Sequence, residues 1–422
     1  MLNKLFLKSE FTKNTFVLVL GTVIAQIIPL IIHPFLRRIY TPESFGAMAV
    51  FLSLFSMVTI ASAFRYEVTI VLPKNNVESA NILGLTFFLS LGFNLFIFIV
   101  LFLFKDKVIN LIGLPQKFSN YIFFLPVTSF LYSMYQSINY WLIRQKAFKS
   151  SSINKVVRRS IEGGIQLVLG LFKFPGGLFI GDLFGNLSNV VSGIFQSSKN
   201  LFSTRMISRR KIGYVMKKHS DYPKYNFIPT LLSNAASLLP FLFINKIYST
   251  EVVGYLDLSR MVLSIPLIFI SATIAQVLYQ QITEKNHQSL SIKNDLLNIL
   301  YLLLGIIVIE AVLLFFFGNS LFQLIFGENY LISSYFSKIL IISFSMNFIY
   351  STFSSIYMTF NKIKINSIWQ VIYFISICSL LLFKDLDIYG FLNVYVTIEA
   401  VMLFINILMM FLIVNKYEKS IN

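Results

Sequence analysis

The sequence predicts an all-α integral membrane protein with about 12 transmembrane helices, built as two six-helix bundles around a central cavity. Three observations predict it: too little charge to cover a soluble surface, a dozen apolar stretches of spanning length, and a motif repeated half a chain apart. Of 422 residues, 56% are hydrophobic and only 13% charged, with 45 phenylalanines and a mean hydropathy of +0.74. Soluble chains average about 45–50% apolar and about 25% charged. The balance excludes a soluble enzyme, a disordered chain and an ordinary DNA-binding protein. Lys and Arg (35) nevertheless outnumber Asp and Glu (18), a formal charge of +17. In a membrane protein such an excess is tested against topology before nucleic acid is invoked.

A spanning helix needs about 20 mainly apolar residues. Such stretches fall at 14–36, 45–64, 80–104, 119–143, 154–173 and 176–196 in the first half. The second half gives 226–247, 252–279, 295–317, 332–360, 366–384 and 389–414. Turn residues or charge clusters separate them, as at Thr41-Pro42, Lys105-Asp106-Lys107, Pro175-Gly176-Gly177 and Gly327-Glu328-Asn329. The first stretch reads as a retained span: it contains Pro29 and Pro34 and lacks a small-x-small cleavage site after it. Loops are short, and the longest gap, 197–225, is basic. The expected division is a six-helix bundle over 1–210 and a second over 211–422.

With twelve spans both termini share a side. Twenty-five of the 35 cations fall on that side. Nine fall opposite (Arg37, Arg38, Lys105, Lys107, Lys117, Lys173, Lys246, Lys338 and Lys384), and Arg260 lies within a span. The positive-inside rule therefore places both termini in the cytoplasm. Anionic lipids are the partner the basic loops expect, with no nucleic acid. The single cysteine, Cys378, permits no internal disulfide, and His33, His219 and His287 show no metal-ligand spacing. No GxSxG, Walker A or HExxH string occurs; no enzymatic activity and no cofactor are expected.

The repeat joins the two halves. Ile39-Tyr40-Thr41-Pro42-Glu43-Ser44-Phe45-Gly46 and Ile247-Tyr248-Ser249-Thr250-Glu251-Val252-Val253-Gly254 agree at four of eight positions, at a constant offset of 208. Arg38 and Lys246 align as cations just before them. Both strings follow the first span of a six-span half, and six spans repeat in the same orientation.

Three strings in the first quarter carry a family resemblance: Thr22-Val23-Ile24-Ala25-Gln26, Pro34-Phe35-Leu36-Arg37-Arg38-Ile39-Tyr40-Thr41-Pro42-Glu43-Ser44-Phe45-Gly46, and Arg65-Tyr66-Glu67-Val68-Thr69-Ile70-Val71-Leu72-Pro73. Together they resemble the N-terminal signature of Wzx-type O-antigen and polysaccharide flippases, in the MATE-like multidrug/oligosaccharidyl-lipid/polysaccharide (MOP) exporter superfamily. Leu324-Ile325-Phe326-Gly327-Glu328-Asn329-Tyr330 is similar to the turn before span 10 in that family. The match is strong over residues 14–85, while span count fits over the whole chain. The resemblance implies translocation of an undecaprenyl-diphosphate-linked glycan, an O-antigen or capsule repeat unit of lipopolysaccharide or related polymers, from the cytoplasmic to the periplasmic leaflet of the bacterial inner membrane. It also implies a functional monomer that can work beside the polysaccharide polymerase and chain-length machinery.

A pyrophosphate crossing hydrocarbon needs cations, and arginine suits it because its guanidinium stays charged and donates as a fork. The headgroup candidates are Arg37 and Arg38 at the outer end of span 1, Arg65 at the end of span 2, Arg159 in span 5 and Arg260 in span 8. Snorkelling or boundary anchoring is the bland alternative for each. Arg65 and Glu67, two apart, share no helix face unless the helix ends there. Arg158 and Glu162 can pair at i, i+4, leaving Arg159 to face the cavity. Tyr132, Gln136, Asn139 and Tyr140 form one helical face in span 4 and are the sugar-contact candidates, against an interfacial aromatic belt. Asp182, Glu310 and Glu399 read as isolated intramembrane carboxylates whose burial favours protonation, and with Asp257, three residues before Arg260, they are the ion-coupling candidates. Glu310 has the most apolar surroundings. His33 is expected to line the cavity or bond a backbone group freed by Pro34.

Two alternatives compete with a flippase. A cation-coupled drug exporter of the same architecture would have a carboxylate-rich, arginine-poor cavity. A multi-span polysaccharide polymerase would need a sizeable outer loop, and no outer gap here exceeds about 20 residues.

Overall fold

The computed structural model describes residues 10–421, with side chains described from Gly21 onward except at 265, 266, 268, 269, 272, 273, 276, 287 and 363. Lys4 and Lys8, and the side chains of Lys13 and His287, therefore lie outside the described residues. The chain packs as two compact units, Met1–Asn234 and Ala235–Asn422.

The first unit holds six long helices: α1 (Glu10–Ile39), α2 (Pro42–Ser62), α3 (Asn76–Ile112), α4 (Phe124–Arg144), α5 (Phe148–Leu171) and α6 (Gly177–Lys199). The unit boundary falls inside α7 (Ile228–Ile247). The second unit continues with α8 (Thr250–His287), α9 (Lys293–Phe326), α10 (Leu331–Phe353), α11 (Ile363–Cys378) and α12 (Ile388–Ile421). Among the described residues, nine of the twelve helices are long and apolar enough to cross a membrane. The three outside that set, α4, α5 and α8, carry most of the polar residues singled out above.

Helix ends differ from the apolar runs for physical reasons. α3 continues past the Lys105-Asp106-Lys107 cluster to Ile112, kinking at Phe104 (φ −125°, ψ 24°). Gly113 then ends it in the left-handed region at φ 73°, its amide bonding the Ile109 carbonyl. Apolar length reports hydrocarbon thickness, whereas a helix persists into the interface as long as its backbone is satisfied. The basic gap contains an element not expected there: a short helix, Arg209–Lys218, with Val215 buried.

The repeated strings build the same corner twice. Thr41, with extended backbone, caps α2 by accepting from the Ser44 amide, and Ser249 caps α8 by accepting from the Val252 amide. Arg37 and its aligned Asn245 are buried, while Arg38 and Lys246 are exposed. The offset of 208 thus relates capping and burial as well as letters.

α5 packs closely on both α1 and α6. A Cβ on Gly163 would lie 2.4 Å from Ile32, and one on Gly181 would lie 2.9 Å from the Glu162 carbonyl. In the second unit, α8, α9, α10 and α12 enclose a core that includes Leu278, Leu303, Phe353 and Met410.

Candidate functional site

The densest charge in the first unit lies where α4, α5 and α6 meet. Close α5–α6 packing sets Arg158 and Glu162 beside Asp182, which is buried. Arg158 Nη2 lies 3.5 Å from Asp182 Oδ1, and its Nε lies 3.8 Å from Glu162 Oε2. Its guanidinium stands 5.1 Å from the centroid of the Tyr132 ring. Arg159 binds the same Glu162 at 3.0 Å. Two arginines thus share two carboxylates, and the cluster is internally neutral.

This corrects two expectations. Arg159 is not left free by an Arg158–Glu162 pair, because Glu162 reaches both arginines. Asp182 is not isolated, because Arg158 compensates it from the neighbouring helix. Of the two, Arg159 is the more open, its side chain 37% exposed against 14% for Arg158. With His33, Glu162 and Gln166 it lines a narrow crevice. His33 Nδ1 is buried without a hydrogen-bond partner among the described residues, and its ring lies 6.0 Å from Phe45.

Arg37 and Arg38 diverge, as adjacent helical residues must. Arg37 is buried with its guanidinium 3.6 Å above the Phe45 ring, and Arg38 is exposed. Beyond α2, Phe64 and Arg65 both take left-handed backbone, at φ 48° and 64°. The helix has ended, and that turn lets Arg65 meet Glu67 at 3.1 Å while its Nε donates to Asn226 Oδ1 at 3.2 Å. Burial pushes the Glu67 carboxyl up, and the Arg65 charge opposes it.

The polar face of α4 is divided. Tyr132 belongs to the Arg158 cluster and packs edge-on against Phe55 at 5.4 Å. Asn139 Oδ1 accepts from Ser151 at 2.5 Å, which ties α4 to α5. Tyr140 packs beside Tyr66 and Trp141, and Gln136 is half-buried.

In the second unit, Arg260 donates to the Ser237 carbonyl at 2.9 Å and stacks 4.6 Å from the Phe241 centroid. Tyr373 donates to Glu399 Oε1 at 3.0 Å, and Tyr395 lies one turn before Glu399 on α12. Glu399 is therefore not isolated either, and the correction has the same cause as at Asp182: the partner comes from another helix. Tyr373 stacks on Trp369 with centroids 5.1 Å apart and planes 4° apart. Glu310, in α9, keeps its buried Oε2 without a hydrogen-bond partner among the described residues. Asp257 is half-buried on α8. Among the described residues no three His, Cys, Asp or Glu side chains gather as a metal site.

Sequence reasoning missed Tyr373, Tyr395 and Trp369. The Tyr395–Glu399 spacing of four was a readable signal; the Tyr373 contact between helices carried none.

A sequence model of one family, described as polysaccharide biosynthesis protein, matches residues 35–335. No curated protein matches the chain. Among solved structures, an inward-facing multidrug resistance MATE family transporter of the MOP superfamily aligns at TM-score 0.71 and 14% identity, over 94% of this chain and 99% of that one. Lipid II flippase MurJ, in an inward closed conformation, aligns at TM-score 0.72 and 14% identity, over 96% of this chain and 90% of that one. The Vibrio cholerae MATE transporter VcmN in its bent form aligns at TM-score 0.59 and 14% identity, over 97% and 96%. These likenesses show a shared fold of multi-pass membrane proteins.

Proposed function

We propose, because the chain belongs to the polysaccharide biosynthesis protein family, that it flips an undecaprenyl-diphosphate-linked oligosaccharide from the cytoplasmic to the periplasmic leaflet by alternating access. The cargo is an O-antigen or capsule repeat unit, the site is the bacterial inner membrane, and both termini are cytoplasmic. The observation that carries the reading is the family match over 35–335. Placement of cations supports it. Arg159 keeps an open edge on a crevice, and Arg260 lies within α8 beside aromatic rings. A buried charge with no role is costly, about 2.5–3.5 kcal/mol on insertion scales. A diphosphate offers such arginines a forked acceptor. That a flippase of lipid II has this fold is consistent with cargo of this class.

The test is genetic and chemical together. Deleting the gene should leave lipid-linked repeat units in the inner leaflet. Units accumulating unpolymerised on the outer face would instead point to a polymerase. Arg260→Ala is expected to abolish surface polysaccharide at normal protein level, and normal glycan on that variant would remove Arg260 from the mechanism.

A further inference from the structure

The short helix Arg209–Lys218 occupies the longest gap between long helices, and the flippase reading gives it no role. It is held firmly on the first unit. Asn81 accepts from the Ser208 amide at 2.8 Å and donates to the Met206 carbonyl at 2.9 Å. Tyr66 donates to the Met216 carbonyl at 2.9 Å. Ile207 and Ile212 lie against Gly84, and Val215 is buried. Lys218 and His219 both reach Glu78, at 2.7 and 3.2 Å. These contacts use one face and the C-terminal end. Arg209, Arg210, Lys211 and Lys217 are left exposed.

The depth of this surface is set by what precedes it. α6 presents Val191, Ile194 and Phe195 outward, each more than half exposed, as a hydrocarbon-facing stripe. At the end of that stripe Lys199 folds back over the Phe195 ring at 4.0 Å, as a cation does where hydrocarbon gives way to headgroups. The chain then turns through left-handed Leu201 (φ 64°), whose side chain is 66% exposed. Tyr214 is 59% exposed among the cations. Exposed apolar side chains among cations suit a bilayer surface better than an acidic protein. From Lys199 to Lys218 the sequence contains no acid; the nearest are Asp221 and Glu78, the latter already engaged.

The structure assigns Arg209–Lys218 as a docking surface for the headgroups of anionic phospholipid, with Arg209, Arg210, Lys211 and Lys217 as its cations. The bilayer seats against a preformed face, and no folding on binding is needed. The surface is independent of the cargo proposed above.

The test uses the full chain purified in detergent, with lipids retained on it counted by native mass spectrometry. Phosphatidylglycerol should be retained over phosphatidylcholine. Arg209→Gln/Arg210→Gln/Lys211→Gln should lose that preference, by about fivefold for each cation removed. Arg209→Lys/Arg210→Lys should keep it, and so should Lys362→Gln/Lys364→Gln, in a separate basic segment at the start of α11. For the wild type, raising salt from about 0.05 to about 0.5 M should erase most of the preference, a measurement that needs no variant to fold. A wild type that does not discriminate between the lipids, a triple variant that retains phosphatidylglycerol unchanged, or an equal loss in the Lys362 and Lys364 variant would each overturn the assignment.

Discussion

At the residue scale, the Arg158–Asp182 contact decides how the first unit tolerates charge in its interior. Asp182 is 1% exposed, so removing Arg158 leaves a buried carboxylate without its ion-pair partner. Arg158→Met should destabilise the protein by about 3–5 kcal/mol, whereas adding Asp182→Leu should restore most of the loss, because the second change removes the uncompensated charge. Thermal melting in detergent separates the cases; a double variant no more stable than the single one would mean that the pair is not coupled. Arg65 and Glu67 offer a pH-dependent version. Burial raises the Glu67 carboxyl above its unfolded value, so the folded state favours the protonated acid. Its contribution is greatest at low pH and is lost as pH rises through the folded value. Arg65 matters only while Glu67 is ionised. Arg65→Gln should therefore destabilise more near pH 8 than near pH 5, and in a Glu67→Gln background the difference should vanish. A flat pH profile for Arg65→Gln would defeat the argument.

At the element scale, close helix approach creates the clusters, and glycine permits the approach. A Cβ on Gly185 would stand 2.8 Å from Glu162 Cβ and 3.4 Å from the Arg158 carbonyl. Neither neighbour is the end of a flexible side chain, so α5 and α6 must separate. Gly185→Val should cost about 1–3 kcal/mol and loosen the Arg158–Asp182 pair. Gly164→Ala, with nothing within 4 Å of the added carbon, should be neutral or slightly stabilising on helix propensity. Equal melting temperatures for the two variants would refute close packing as the cause. The same scale explains what the sequence made legible. Span count, the repeated corner and the basic gap follow from local composition, and all are visible in the letters. So is the break after α2 that lets Arg65 turn back to Glu67. Arg158 and Tyr373 as partners of Asp182 and Glu399 are not legible, because they come from neighbouring helices, α5 and α11. A carboxylate looks isolated when only its own helix is read. The helix Arg209–Lys218 was legible in part: Ile212, Val215 and Met216 keep helical spacing, but eight cations between Lys199 and Lys224 drown the pattern in any average.

At the scale of the whole molecule, the charge distribution makes a prediction independent of any cargo. Most of the +17 sits in loops that an even number of spans returns to one side, and the minority on the other side includes Lys117, beside Glu43. Helix insertion follows Lys and Arg near span ends rather than net charge, so these two sets are predicted to face different compartments. Cys378 is the single cysteine, and Cys378→Ser gives a background free of thiols. A cysteine placed at Lys211 should react with a membrane-impermeant maleimide only after cells are opened, and one at Lys384 should react in intact cells once the outer barrier is permeabilised. Lys211 is exposed on the short basic helix, and Lys384 is exposed in the turn before α12, so access is limited by the membrane and not by packing. The reverse pattern would invert the topology, and with it the leaflet from which cargo is taken. Reaction of both sites from one side would break the six-span parity on which the two-bundle repeat depends.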